Sequence, residues 1–353
     1  MPPTDRAGAM LGSVQLRRAA LAFLGASGIV ASGMLGAAGV AVVRPQPALA
    51  AGCTRAAPSA TAHGASIDAL RSPAWTAADL TGSVPLTDGR RLWLYGDTIT
   101  SGLGPTGGAV SRSFTARNSA IVQERGCLTP LLLGSGPTAG SWIPQLGAEW
   151  SWPGDGYARD GTVWVYATRL GEIGPGVFGF EARAVDLVEV DQATLTIRRI
   201  HRNRYAAAPV LLGSSVTTDG TWTYVYGRDE RGSKRNTYVA RVPAANPLAA
   251  TTYWTGASWS TEAGQARPIF TTDVVGGPAF DDLGPAYGAK RFVAAVKDGE
   301  FLASSVELYT APGPDGPWAK VTTVPAVGLA TDTGTWPTWR RSTASTRPRA
   351  GCT

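Results

Sequence analysis

Asp79 and Asp97 are the residues of this chain whose type and spacing could do chemistry. They bracket two apolar-rich runs, Leu80–Leu86 and Leu92–Gly96, joined through Asp88-Gly89. Asp-Gly between such runs is a strong short-range signal for a tight β-hairpin. With the turn centred there, the strands run antiparallel and Asp79 comes level with Asp97 and Thr98. Glycoside hydrolysis needs two carboxylates close in space. One protonates the leaving oxygen, and the other attacks the sugar or activates water. The register decides the matter, because a slip of one residue turns a side chain to the opposite face. In the competing reading both aspartates are polar strand ends and Thr98 caps a turn.

Asp155 is a third catalytic candidate, in Trp152-Pro153-Gly154-Asp155-Gly156. The glycines let the backbone turn tightly there, and the alternative is a turn aspartate bonded to its own backbone. Glu149 and Glu181 lie in loop-like segments and are weaker. Trp142, Trp150, Trp152 and Tyr157 cluster nearby. Flat rings with a polar edge suit the C–H faces of sugars, so Trp150, Trp152 and Tyr157 are candidate substrate-binding residues; the rival assignment is core. Arg117-Asn118-Ser119 offers donors for sugar hydroxyls, with Asn118 the preferred one, against an ordinary strand start.

A chain of 353 residues can bury a substantial core. Its 44 glycines, 12 tryptophans and 16% charged residues fit an extracellular all-β protein better than a helical cytosolic one. The net charge of +6 comes largely from Arg17, Arg18 and the Arg-rich end. No basic helix or recognition motif accompanies it, so nucleic acid is not an expected partner. Two histidines, His63 and His201, leave little room for a His-based triad or metal site, and no cofactor is implied.

Residues 1–50 read as a secretory signal. Arg17-Arg18 precede a small-residue apolar stretch from Ala19 to Val43, and Ala48-Leu49-Ala50 offers cleavage after Ala50. Lipidation of Cys53 is the competing reading. No second apolar span exists, so a secreted or envelope-associated monomer is expected. Residues 51–67 form a flexible lead. Of three cysteines, Cys53 and Cys127 could pair and leave Cys352 over.

A repeat organises the rest. Asp88-Gly89, Asp160-Gly161 and Asp219-Gly220 each precede a Trp/Tyr/Val-rich run, and Asp281-Asp282 precedes a weaker fourth copy. The spacing of roughly 60–70 residues and about four short strands per unit predict β-propeller blades. A β-sandwich is the structural rival. Trp93, Tyr95, Trp164, Tyr166, Trp222, Tyr224 and Tyr226 recur at one place in the repeat, which assigns them to packing between blades. The propeller spans 68–324. Residues 325–353 are Thr-, Arg- and Pro-rich without strand alternation. A sheet ring needs all its blades or leaves open edges, so either four blades close it or a fifth is absent or incomplete.

Trp93-Leu94-Tyr95-Gly96-Asp97-Thr98, Asn118-Ser119-Ala120-Ile121-Val122, Trp152-Pro153-Gly154-Asp155-Gly156, Tyr226-Gly227, Tyr238–Pro243 and Tyr253-Trp254-Thr255-Gly256 follow one another in this order. The ordered set resembles the bacterial endo-D-arabinanase family, formerly a domain of unknown function. That resemblance implies a five-bladed propeller glycosidase acting on the D-arabinan of actinobacterial walls, with Asp79 and Asp97 as the catalytic pair. The closing blade is where the chain departs from it. Two functions follow: a secreted glycoside hydrolase cutting inside furanose chains, or a catalytically inactive propeller that binds wall glycan or an envelope protein. A sialidase-like enzyme is disfavoured, for no Ser-x-Asp-x-Gly-x-x-Trp box repeats.

Overall fold

The computed structural model describes residues 75–325 apart from 76, 80–81, 100–115, 125–126, 134–139, 176–177, 208, 230–234, 273–277 and 298–304. The expected signal segment, the flexible lead, Cys53 and the tail beyond Pro325 lie outside the described residues, and so does any fifth blade built from them.

Four antiparallel sheets form a four-bladed β-propeller. The first contains β2 (Gly82–Pro85), β3 (Arg91–Tyr95), β5 (Ser119–Glu124) and β6 (Cys127–Leu131). The second is β7 (Trp150–Arg159), β8 (Thr162–Glu172), β9 (Phe180–Asp191) and β10 (Ile197–Ala206). The third joins β11 (Val210–Thr218), β12 (Trp222–Asp229) and β13 (Arg235–Pro243), and is widened by β14 (Thr252–Trp254), β15 (Trp259–Ser260) and β16 (Phe270–Thr272). The fourth is β17 (Ala279–Asp282), β18 (Phe292–Lys297), β19 (Ser305–Ala311) and β20 (Ala319–Pro325). Outside the blades, β1 (Ala77–Ala78) pairs with β4 (Thr98–Ile99).

The Asp-Gly dipeptides set the hairpins. Asp160 and Gly161 both take positive φ, 49° and 72°, the twist that two-residue hairpin turns require. Arg159 and Thr162 then face each other directly. The sequence after each turn supplies the core. Val84, Leu92, Leu94, Val163, Val165, Val188 and Val190 fill the space between the first two blades. Tyr166, Leu187, Leu212, Val216 and Val225 fill the next. Tyr224, Tyr226, Phe280, Phe292 and Ala294 fill the third, where the Tyr226 and Phe280 rings stack at 3.9 Å. Tyr166, Tyr224 and Tyr226 are buried, and Trp164 and Trp222 half-buried, between blades as their recurrence predicts. Trp93 and Tyr95 depart from it, for they are buried against Trp75, Ala78, Ile121 and Leu128 while Leu92 and Leu94 face the second blade.

The first strands of successive blades touch backbone to backbone. A Cβ on Gly82 would lie 2.2 Å from the Gly154 carbonyl oxygen, and one on Gly154 2.3 Å from that of Gly213. Farther round, the Ser215 hydroxyl accepts the Phe280 N–H at 2.9 Å, and Thr217 Oγ1 accepts that of Asp282 at 3.1 Å.

Candidate active site

The first-blade hairpin turns where the sequence places it. Leu86 N–H donates to the Arg90 carbonyl at 2.8 Å, Gly89 N–H returns to Leu86 O at 3.2 Å, and Gly89 sits at φ 89°. The ladder pairs Pro85 with Arg91 and Gly82 with Leu94. The same register resumes beyond it, where Ala78 faces Thr98. Between these stretches Asp79 N–H donates to Asp97 O at 3.1 Å and Gly96 N–H to Asp79 O at 2.9 Å. Asp79 and Asp97 therefore lie side by side on adjoining backbone. Thr98 anchors this corner. Its hydroxyl bonds Gly96 O at 2.9 Å and pairs with Ser119 Oγ at 2.8 Å. The indole N–H of Trp75 donates to the same Ser119 oxygen at 3.1 Å.

The two carboxyls are held differently. Asp97 is 7% exposed. Its Oδ1 accepts the Trp152 indole N–H at 3.1 Å, from the second blade, and its Oδ2 accepts Arg117 Nη1 at 3.4 Å. Burial pushes its pKa up, while these two donors pull the other way. Asp79 is open to solvent by area, but the surrounding protein removes enough hydration to dominate. That desolvation, reinforced by the Asp97 charge, pushes Asp79 up to about 7. Water reaching the exposed side screens part of this effect. Two neighbouring carboxyls, one proton-holding near neutrality and one braced by donors, can supply an acid and a base in one reaction.

The other expected site residues have different duties. Asn118 is fully buried. Its Nδ2 donates to Ile143 O and Ser151 O at 3.1 and 2.9 Å, and its Oδ1 accepts Ile143 N–H at 2.7 Å. With its amide engaged by backbone, Asn118 ties the first blade to the second and offers no edge to a sugar. Tyr157, 5% exposed, packs with Tyr166, Tyr205, Leu212 and Val216, and burial pushes its phenol up to about 12; it is core. Trp150 is 4% exposed, with the Arg117 guanidinium 4.5 Å over its ring, so it supports Arg117 instead of facing solvent. Trp152 is half-buried and orients Asp97. Asp155 is 1% exposed and accepts Val216 N–H at 2.6 Å, which makes it a clip between β7 and β11. Glu149 pairs with Arg169, and the exposed Glu181 with Arg183. The Cys53–Cys127 pairing lies outside the described residues.

Arg117 and Phe180 complete the corner. The Phe180 ring meets Trp152 edge-on at 5.0 Å and Trp150 at 5.9 Å. Arg117 was visible in the sequence as a donor beside Asn118; Phe180, at the far end of the second blade's long hairpin, carried no local signal. Among the described residues no three His, Cys, Asp or Glu side chains gather as a metal site would require, and no helix is long and apolar enough to cross a membrane.

Residues 69–340 match the model of the family described as Domain of unknown function (DUF5005). The chain belongs to that family. The DUF5005 match takes in all four blades and runs past β20. A comparison with curated proteins gave no match. Among solved structures, the DUF5005 chain resembles a Bacteroides ovatus protein provisionally described as a hydrolase, with a TM-score of 0.57 and 15% identity over 74% of this chain and 72% of that one. At that identity the likeness is one of fold.

Proposed function

We propose that this chain is an exported glycoside hydrolase that cleaves internal furanosidic linkages of D-arabinan of the actinobacterial wall type. One observation carries the reading: Asp79 and Asp97 adjoin through a backbone hydrogen bond while their carboxyls sit in unequal surroundings. Asp79, holding its proton towards neutrality, gives it to the leaving glycosidic oxygen as the C–O bond breaks. Asp97, braced by Trp152 and Arg117, takes the proton of the attacking water or itself bonds the anomeric carbon for a later hydrolysis. The carboxyl separation in the substrate complex decides between these two courses. The resemblance to endo-D-arabinanases supplies the substrate, and the provisional description of the Bacteroides neighbour as a hydrolase agrees with the reaction class.

The test is to incubate the purified protein, and separately its Asp79→Asn and Asp97→Asn variants, with actinobacterial arabinogalactan and to size the products. Short oligosaccharides from the wild type, lost in both variants, are the expected result. A polymer unchanged by the wild type would overturn the reading.

A further inference from the structure

Strands β8 and β9, at 11 and 12 residues, are the longest of the described residues, and exposed apolar residues stand near their connected ends. Phe178 is 76% exposed and Ile173 59%; Phe180 and Trp152 are half-exposed. Trp152, Phe180 and Phe178 follow one another toward the end of this hairpin, and Ile173 lies outside their run. Trp150 pairs with Leu170 and Leu170 with Ala182. Phe180 stands two positions from Ala182 and shares its face of the sheet, and Phe178 lies two residues earlier in the chain, in the turn that precedes β9. Ile173 N–H bonds Gly179 O at 2.9 Å, one residue beyond the Glu172–Phe180 pair, so Ile173 stands on the face opposite Phe180. A single exposed apolar residue is ordinary, but a contiguous exposed strip marks a contact surface. This strip begins at Trp152, whose indole N–H is 3.1 Å from Asp97, passes Phe180 at 5.0 Å ring to ring, and leads on to exposed Phe178 in the adjoining turn.

We propose that Phe178 and Phe180 form a stacking ledge for a neutral glycan chain, gripping a sugar at least one residue removed from the one bound at Asp79 and Asp97. The ledge rests on the hydrolase reading for its direction, but its grip on glycan is measurable without turnover. Aromatic faces suit the C–H side of a furanose ring. Exposed Glu172, directly opposite Phe180, disfavours an acidic polysaccharide. The ledge acts on chain binding and leaves bond cleavage alone, so its effect belongs in KM and grows with substrate length.

Phe178→Ala is the clean variant, since the ring is exposed and its loss leaves the core intact. Binding is measured by affinity electrophoresis in soluble arabinogalactan and in polygalacturonate, and turnover on polymer and on short arabino-oligosaccharides. Expected are binding and KM on the neutral polymer weakened about five- to tenfold, kcat within about twofold, little change on the shortest substrates, recovery with Phe178→Tyr, and no binding to polygalacturonate. Unchanged binding and KM in Phe178→Ala would overturn the ledge while leaving hydrolysis standing, and tight binding to polygalacturonate would overturn its preference for neutral chains. Phe178-dependent binding without cleavage would support the ledge and sink the hydrolase. A wild type that binds neither polymer overturns the ledge.

Discussion

Asp97 in the first blade and Asp186 in the second are both withdrawn from water, at 7% and 0% exposure, but their surroundings answer the cost of burial differently. Asp186 receives Arg169 Nε at 3.2 Å, Arg202 Nη1 at 2.6 Å and the Asn203 N–H at 2.8 Å, and Arg169 also binds Glu149. Two cations and a backbone donor converge on one carboxylate, as expected of a charge held for architecture. Asp97 has one neutral indole and one guanidinium at 3.4 Å, with a second acid beside it. Desolvation outweighs those donors and its pKa rises. Buried acids are thus told apart by how fully they are compensated, and the under-compensated one is the candidate for chemistry.

Substitution of each acid should separate the two. Asp97→Asn is expected to cut turnover by about 10³–10⁴-fold with little change in the urea midpoint, read from product release and equilibrium unfolding on the same preparation. Asp186→Ala should do the reverse. It strands two cations and is expected to remove about 3–5 kcal/mol of stability, seen as a lower midpoint at unchanged slope. If Asp97→Asn proved the more destabilising, the contrast would be wrong.

Subtler changes sharpen it. The folded protein keeps the Asp79 proton until about pH 7, whereas an unfolded chain releases it near 3.8. Stability from this group is therefore full at acid pH and declines as pH rises through that window. Wild type should lose about 1–2 kcal/mol relative to Asp79→Asn between pH 4 and 7, after screening by water; parallel curves for the two would remove the basis for Asp79 as the acid. Smallest is Arg117→Gln. Loss of the guanidinium disfavours ionised Asp97, so the acid limb of the pH–rate profile should move upward by about half to one unit.

Much of this was legible in the sequence. The Asp88-Gly89 turn fixes the register of its hairpin, and that register alone sets Asp79 against Asp97. The recurring Trp and Tyr positions of the second and third blades marked their interfaces because packing repeats wherever the sheet repeats, whereas Trp93 and Tyr95 cover Trp75 and Ala78 instead. Side-chain duty was less legible. Asn118, Asp155 and Tyr157 have residue types that suit a sugar site, but the carbonyls of Ile143 and Ser151, the N–H of Val216 and the neighbouring aromatic core claim them first. Those partners lie tens of residues away, and no local pattern announces them. Phe180 escaped notice for the same reason: its importance comes from the length of β8 and β9, which carries it back to Trp152.

The contact between Gly82 and Gly154 has a mechanical consequence. Asp97 and its indole donor ride on separate sheets, and those sheets meet where neither partner has a side chain to yield. An alanine at either glycine would act as a wedge, levering the indole from the carboxylate without altering any polar group. Loosening that seam would disable the acidic corner before the rest of the ring came apart.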